Sequence, residues 1–273
     1  MKTSKNQTSF NWVGSEKHFV DQLDIVQIGP VTVGRFGGNS STGQTKNEDG
    51  CVLWANAVED WEFTVLLDAH QTAESAELVI AEIGRLETTI NDALKLPVKQ
   101  AFSQLSEILL AMFDSERFKA RCSEVQGETA VLCTARKGKF LWWLSVGDCL
   151  LYLFHPELEA LGELQQNHRS FYEWIGKVNT FDLPVPCFST GAKELRKGIN
   201  HILLTTDGLV ECPNTDFSNP LEVSKRFDAV SNTKGVTALL EEIKEKNVRD
   251  STTILSWRVE VESESTRPGN EPK

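Results

Sequence analysis

The chain has 273 residues, of which 40% are hydrophobic and 25% are charged. These values are typical of a folded protein with one large or two small domains, and they exclude a fibrous or globally disordered chain. The 39 acidic and 28 basic side chains give a formal net charge of −11. Nucleic acid and anionic membranes need a basic surface, so neither is an expected partner. An anionic substrate would need a local positive charge, such as a bound divalent cation.

The two ends of the chain are polar. Residues 1–22 predict a weakly determined lead-in and residues 260–273 a disordered tail, which leaves one domain at 23–259. No apolar run approaches the roughly 20 residues of a membrane helix, and the N-terminus does not resemble a signal peptide. We therefore expect a cytoplasmic protein without a membrane span. The six cysteines lack C-x-x-C spacing and are expected to be small buried hydrophobes.

Short β-branched or aromatic runs alternate with turn residues and predict strands. These runs are Pro30–Arg35, Cys51–Ala55, Phe63–Leu67, Thr129–Arg136, Phe140–Val146, Leu150–Phe154, Ile202–Thr206 and Thr252–Val259. Apolar residues at three- or four-residue spacing predict helices over 76–90, 98–112 and 236–246. Two long helices followed by strands with short turns favour an α+β architecture, in which helices cover antiparallel sheets.

Three other segments lie between these elements. Residues 137–139 and 147–149 each predict a hairpin turn. Residues 155–199 mix glycine, proline and aromatic side chains without a period, and we expect an irregular flap beside a site there. On the strand at 140–146, neighbouring Trp142 and Trp143 should face opposite sides, one in the sandwich core and one under a helix.

Aspartates fall at the ends of five predicted strands: Asp49, Asp68, Asp148, Asp207 and Asp250. A single such aspartate is usually a turn former or a helix cap, but five suggest that the strand ends converge. Carboxylates brought together raise one another's pKa values unless a cation compensates them. Oxygen ligands favour Mg²⁺ or Mn²⁺ over Zn²⁺. Two such ions can activate a water and clamp a phosphoryl group, so the pattern predicts a two-metal site for phosphate esters.

In this order the motifs resemble those of the metal-dependent serine/threonine protein phosphatases of type 2C, the PPM family. The resemblance runs from about residue 29 to residue 259. It rests on Gln44-Thr45-Lys46-Asn47-Glu48-Asp49, Asp68-Ala69-His70, Gly127-Glu128-Thr129-Ala130, Val146-Gly147-Asp148-Cys149, Thr206-Asp207-Gly208-Leu209 and Asp250-Ser251-Thr252-Thr253. It implies an αββα sandwich of two antiparallel sheets flanked by helices, with two Mn²⁺ or Mg²⁺ ions at one edge and a phosphoprotein as substrate.

The resemblance also implies a role for each matched residue. Asp49, Asp68 and the Ala69 carbonyl would bind one metal, and Asp207 and Asp250 would complete the other, with Asp68 in the bridging position. Asp148 would help Asp207 to hold a third, weaker ion. Glu48 would orient a water at the metals, and His70 would act as the general acid for the leaving group.

Gln44 stands where the family has the arginine that holds the substrate phosphate. A neutral amide lacks the guanidinium fork, so Lys46 or Arg35 would have to supply the positive charge. Ala69 replaces a glycine, which is tolerated if its φ is negative. Two functions therefore stay open: an active phosphoserine/phosphothreonine phosphatase, or a phosphatase-like regulatory or binding module with weak or no catalysis. The sequence does not indicate an oligomeric state.

Overall fold

The structure is a computed structural model that describes residues 7–267 and residue 269. Across these residues two antiparallel sheets stack face to face. The first has the strand order β1-β4-β5-β6-β7-β10, with β9 paired to β6, and the second has the order β2-β3-β12-β11-β8. The strands of the first sheet are β1 (Gln7–Val13), β4 (Gly50–Asn56), β5 (Trp61–His70), β6 (Glu128–Lys137), β7 (Phe140–Val146), β9 (Ile175–Gly176) and β10 (Ser189–Glu194). Those of the second are β2 (Leu23–Ile28), β3 (Val31–Phe36), β8 (Leu150–Phe154), β11 (Gly198–Thr205) and β12 (Thr252–Val261).

Helices cover both outer faces of the sheet pair. They are α1 (Glu74–Arg85), α2 (Glu87–Lys95), α3 (Val98–Asp114), α4 (Glu116–Glu124), α5 (Pro156–Glu159), α6 (Pro220–Lys225) and α7 (Asn232–Glu245). Helices α1 and α3 pack on the first sheet, whereas α7 packs on β2, β3 and β12. The predicted α+β class and the αββα sandwich are therefore confirmed.

Alternation along the central strands creates two apolar cores. On β5, Leu66 belongs to the core between the sheets, whereas Val65 and Leu67 belong to the core under the helices. On β7, Trp143 faces the second sheet, and Trp142 stacks on Phe102 of α3 with ring centroids 6.4 Å apart. The opposite facing predicted for the two tryptophans is confirmed.

Both predicted tails contain ordered structure. Strand β1 lies within 1–22 and pairs with β4, and its Trp12 and Val13 are buried. Its polar residues alternate with aromatic ones, as in a strand with one buried face, so composition alone hid it. Strand β12 continues to Val261, and the backbone N–H of Thr266 donates to Glu194 of β10. Residues 260–267 are therefore anchored to the fold through the buried Val261 and Ser265 and the Thr266 hydrogen bond, while the rest of the predicted tail, apart from residue 269, lies outside the described residues.

Two local predictions differ from the structure. The single helix expected over 76–90 is interrupted at Leu86, which divides it into α1 and α2. The turn at 137–139 does form a hairpin, since Lys137 pairs with Phe140. The turn at 147–149 instead carries the chain from β7 in one sheet to β8 in the other. Each sheet is buried on both faces here, so consecutive strands can join across the sandwich as well as along a sheet.

Five cysteines are buried, as expected, and Cys187 is exposed. Within residues 7–267, none of the helices combines the length and the apolar character that crossing a lipid bilayer requires.

Candidate metal centre

The first sheet brings three of the aspartates to one edge of the sandwich. Gly50, the first residue of β4, pairs with Leu67 near the end of β5, so Asp49 and Asp68 are neighbours. Strand β7 runs in the same direction as β5, with β6 between them, and its end leads into Asp148 at this edge. Antiparallel pairing thus gathers residues that are up to 99 positions apart in sequence, from 49 to 148.

The second sheet supplies the other two aspartates from its central strands. Thr205, the last residue of β11, pairs with Ile254 near the start of β12. Asp207 lies two residues after the end of β11 and begins a 3-10 turn, whereas Asp250 lies two residues before the start of β12. Both therefore lie at one end of the same strand pair, facing the edge of the first sheet.

Three carboxylates come within ligand distance of one another. One oxygen each from Asp68, Asp148 and Asp207 can be chosen so that all lie within 4.8 Å. These three residues are buried, with 4%, 8% and 7% of their surfaces exposed. A shared cation can bridge atoms at this separation, whereas three ionised carboxylates without one would repel each other strongly.

Asp49 lies beside this group and is held by the second sheet. Its Oδ2 accepts hydrogen bonds from Thr253 Oγ1 at 2.7 Å and from Thr206 Oγ1 at 3.3 Å. Its backbone N–H donates to Asn47 Oδ1 at 2.9 Å. These contacts fix the carboxylate across the seam between the two sheets and leave its other oxygen available.

The buried oxygens that remain are the strongest indication that this edge binds a cation. Oδ1 of Asp49, Asp148 and Asp207 and Oδ2 of Asp68 are buried and have no hydrogen-bond donor among the described residues. An unpaired buried acceptor normally costs about 1–3 kcal/mol, and an unpaired charge costs more. Four such atoms at one edge fit hard divalent cations, because these ions prefer several carboxylate oxygens.

Without a cation, these groups resist ionisation. Burial raises the pKa of the Asp68 carboxyl well above its usual range, and its four aspartate neighbours add to the rise. Burial likewise raises the pKa of Asp49 well above its usual range, against an opposing hydrogen bond from Thr253. Burial, with repulsion from Asp250 next, raises the pKa of Asp207 to about 7. The pKa of Asp148 is also raised, again mainly by burial.

An open cavity of about 380 Å³ lies against this cluster. The residues that line it are Gln44, Lys46, Glu48, Asp68, Ala69, His70, Gln71, Arg249 and Asp250. Asp250 is an exposed residue, yet desolvation of its carboxylate raises its pKa. The cavity is polar and is bordered by predicted metal ligands, so a phosphate ester entering it would meet the carboxylate cluster directly.

His70 lies at the mouth of this cavity. Its side chain is half exposed, and its Nδ1 is 3.9 Å from Asp68 Oδ1. Glu48 is mostly shielded, and its Oε1 is 2.6 Å from Lys46 Nζ. The two residues predicted to handle protons therefore both border the cavity.

The three candidates for binding the substrate phosphate lie in different surroundings. Gln44 lines the cavity. Lys46 also lines it, but its ammonium is paired with Glu48 and donates to the Gln71 carbonyl. Arg35 is wrong as a candidate, because its buried guanidinium pairs with Asp24 and lies 4.8 Å from the Trp12 ring. Its position on β3 directs it toward β1 and β2, away from the residues that line the cavity.

No protein-family model matches the chain, and no curated protein matches it by sequence. Solved structures do match. A bacterial serine phosphatase superposes with a TM-score of 0.60 at 16% identity, covering 85% of this chain and 98% of that one. The Mycobacterium tuberculosis serine/threonine phosphatase PstP/Ppp gives 0.58 at 16% identity, covering 87% and 100%. RsbX, solved in complex with magnesium, gives 0.52 at 12% identity, covering 87% and 100%. The chain has the fold of a bacterial serine/threonine phosphatase.

Within this phosphatase fold, the Asp68-Ala69-His70-Gln71 segment departs from the glycine-rich family pattern. Ala69 is not among the described residues with positive φ, so its methyl group is tolerated, as the sequence interpretation required. Gln71 instead adopts a φ of +76°. A side chain in this left-handed region costs about 1 kcal/mol, so the strain lies two residues after Ala69.

Sequence reasoning missed several residues at the edge of the sandwich that carries the aspartates. Thr206 and Thr253 hold Asp49. Thr206 directly precedes Asp207, and Thr253 ends the motif that begins at Asp250, so both positions were a usable signal. Arg169 lies in the aperiodic segment 155–199; its Nε donates to the Asp148 carbonyl at 3.2 Å, and its Nη2 is 3.8 Å from Asp207 Oδ2. No sequence pattern pointed to Arg169, although the expected flap beside a site includes it.

Proposed function

We propose that the protein is a Mn²⁺- or Mg²⁺-dependent phosphatase that hydrolyses phosphoserine and phosphothreonine on proteins. The observation that carries this proposal is the set of four buried, unpaired carboxylate oxygens beside an open cavity. The phosphatase fold supports the same reaction, although a fold alone does not fix an activity.

The carboxylates and one carbonyl would hold two cations between them. Asp49, Asp68 and the Ala69 carbonyl would hold one, and Asp207 and Asp250 would complete the other, with Asp68 shared. Asp148 would hold a third, weaker ion together with Asp207, and the proximity of their carboxylates to Asp68 supports this. Bound there, the ions would supply Lewis-acid polarisation of the phosphate and lower the pKa of a coordinated water.

Two residues of the chain would then handle protons at the phosphoryl group. Glu48 borders the cavity and can accept a hydrogen bond from the attacking water, which orients it for in-line attack. His70, at the mouth, can donate a proton to the leaving serine or threonine oxygen, because imidazole transfers protons well near neutral pH. The openness of the cavity suits a phosphorylated side chain presented by a protein.

The decisive experiment measures hydrolysis of p-nitrophenyl phosphate and of a phosphothreonine peptide with Mn²⁺, with Mg²⁺ and with EDTA. We expect metal-dependent turnover that Asp68→Asn reduces at least about a hundredfold, because that residue would serve both ions. Asp228→Asn, an exposed aspartate outside the cavity lining, is the matched control and should retain full activity. Turnover that persists in EDTA, or none with either metal, would refute the proposal.

One observation favours a second candidate function, a phosphatase-like regulatory or binding module. Gln44 offers no positive charge, and the Lys46 ammonium is already paired. A module of this kind would bind metal tightly in a calorimetric titration and retain a protein partner, yet show no turnover on either substrate. The same pair of measurements therefore separates the two functions.

A further inference from the structure

One positively charged side chain that lines the cavity has no partner among the described residues. Arg249 lines it, is exposed, and makes no hydrogen bond or ion pair among residues 7–267. The other lining cation with a fixed charge, Lys46, is held by Glu48 and by the Gln71 carbonyl. All five guanidinium N–H donors of Arg249 are therefore available to a ligand.

Arg249 reaches this place because its segment is tied to the loop that carries Gln44. The backbone N–H of Asn39 donates to the Val248 carbonyl at 3.0 Å, and that of Gln44 donates to the Asn39 carbonyl at 3.2 Å. Gly38 lies between the two segments: a methyl group on it would be 2.0 Å from the Arg249 carbonyl oxygen and 2.9 Å from Gln44 Cγ. Gln44 and Arg249 thus both pack closely against Gly38, which brings them to the same part of the cavity.

Arg169, the other arginine near the carboxylate cluster, does not offer free donors to a ligand in the cavity. Its guanidinium donates to Glu211 Oε1 at 2.9 Å and to the Asp148 carbonyl, and it stacks on Phe171. It is also absent from the cavity lining. Its contacts position the segment that follows β8 against the carboxylate cluster.

We propose that Arg249 binds the phosphoryl oxygens of the substrate, in place of the arginine whose position Gln44 occupies. The planar guanidinium matches a phosphate group with two parallel hydrogen bonds, which a lysine ammonium cannot make. Arg249 is adjacent in sequence to Asp250, so the phosphate contact and a predicted metal ligand come from one segment. This inference rests on the proposed phosphatase function.

The test compares wild type with Arg249→Ala and Arg249→Lys, saturated with Mn²⁺. Two quantities are measured: KM for p-nitrophenyl phosphate, and the dissociation constant of inorganic phosphate by calorimetry. We expect Arg249→Ala to raise both KM and the dissociation constant by about 10- to 100-fold, the usual loss of affinity for charge-assisted hydrogen bonds. Arg249→Lys should lie between, because it keeps the charge and loses the fork.

Arg117→Ala is the matched control, since its side chain is 63% exposed and pairs with Glu82 on the helical face. It should leave both quantities unchanged. Equal phosphate affinity in wild type and Arg249→Ala would overturn the inference, even in an active enzyme. If wild type shows no turnover, the proposed function fails, and the calorimetric comparison still decides whether Arg249 binds phosphate.

Discussion

Replacing Asp207 by asparagine should stabilise the metal-free protein at alkaline pH. Burial and neighbouring carboxylates raise the pKa of Asp207 from 3.8 to about 7. A carboxyl with a raised folded pKa stabilises the fold below its unfolded pKa, and this stabilisation is lost as the pH rises through the folded pKa. A difference of about three pKa units means that ionisation of Asp207 lowers the free energy of unfolding by roughly 4 kcal/mol at pH 8.

The expected gain is smaller than this difference, because an asparagine amide buried at the same place also lacks partners. We expect Asp207→Asn to raise the free energy of unfolding in EDTA at pH 8 by about 1–3 kcal/mol. For a chain of this size that is a rise in melting temperature of roughly 3–10 °C. At pH 4.5 the gain should vanish, because Asp207 is then protonated in the folded protein.

Thermal melts with Mn²⁺ complete the test. Wild type should gain stability from the metal, and Asp207→Asn should gain much less, since it has lost a ligand. The exposed Asp228→Asn should match wild type under every condition. A variant less stable than wild type in EDTA at pH 8, or a difference that does not change with pH, would refute the reasoning.

Three further predictions concern other parts of the chain. Gln71→Gly should raise the free energy of unfolding in urea by about 1 kcal/mol, because it removes a side chain from a positive φ; no change would mean that the side chain compensates this strain. His201 is buried, which lowers its pKa to about 3, so its contribution to stability is present above about pH 6.5 and is lost as the pH falls toward 3. The melting temperature should therefore fall less steeply between pH 7 and pH 4.5 in His201→Gln than in wild type. An equal fall in both proteins would contradict this. Gln44→Arg should increase phosphate affinity more in an Arg249→Ala background than in wild type, since the two guanidinium groups would share one ligand; equal gains would mean independent sites.

The layered fold and the convergence of the aspartates could be predicted because both follow from local patterns. Strands β7 and β8 have the predicted bounds, since each is a continuous apolar run between turn residues. The aspartates were recognisable because each lies within two residues of the end of such a run. Antiparallel pairing then brings strand ends to a common edge whatever the loop lengths.

The parts that could not be predicted depend on contacts distant in sequence. Nothing near Lys46 shows that Gln71 would accept from its ammonium, and nothing near Arg35 shows that Asp24 would pair with it. Both pairings follow from register and loop packing. The strand β1 was missed for a related reason: its alternation becomes meaningful only when β4 lies beside it.

The carboxylates come from both halves of the sandwich: Asp49 and Asp68 lie at strand ends of the first sheet, and Asp207 and Asp250 lie beside strand ends of the second. Ions bound by these carboxylates would cross-link the two sheets. Sliding one sheet against the other would then require releasing metal, so metal affinity and the mechanical coupling of the two halves are linked quantities. A ligand that binds only when the two sheets separate would lower the metal affinity, and excess metal would weaken the binding of that ligand.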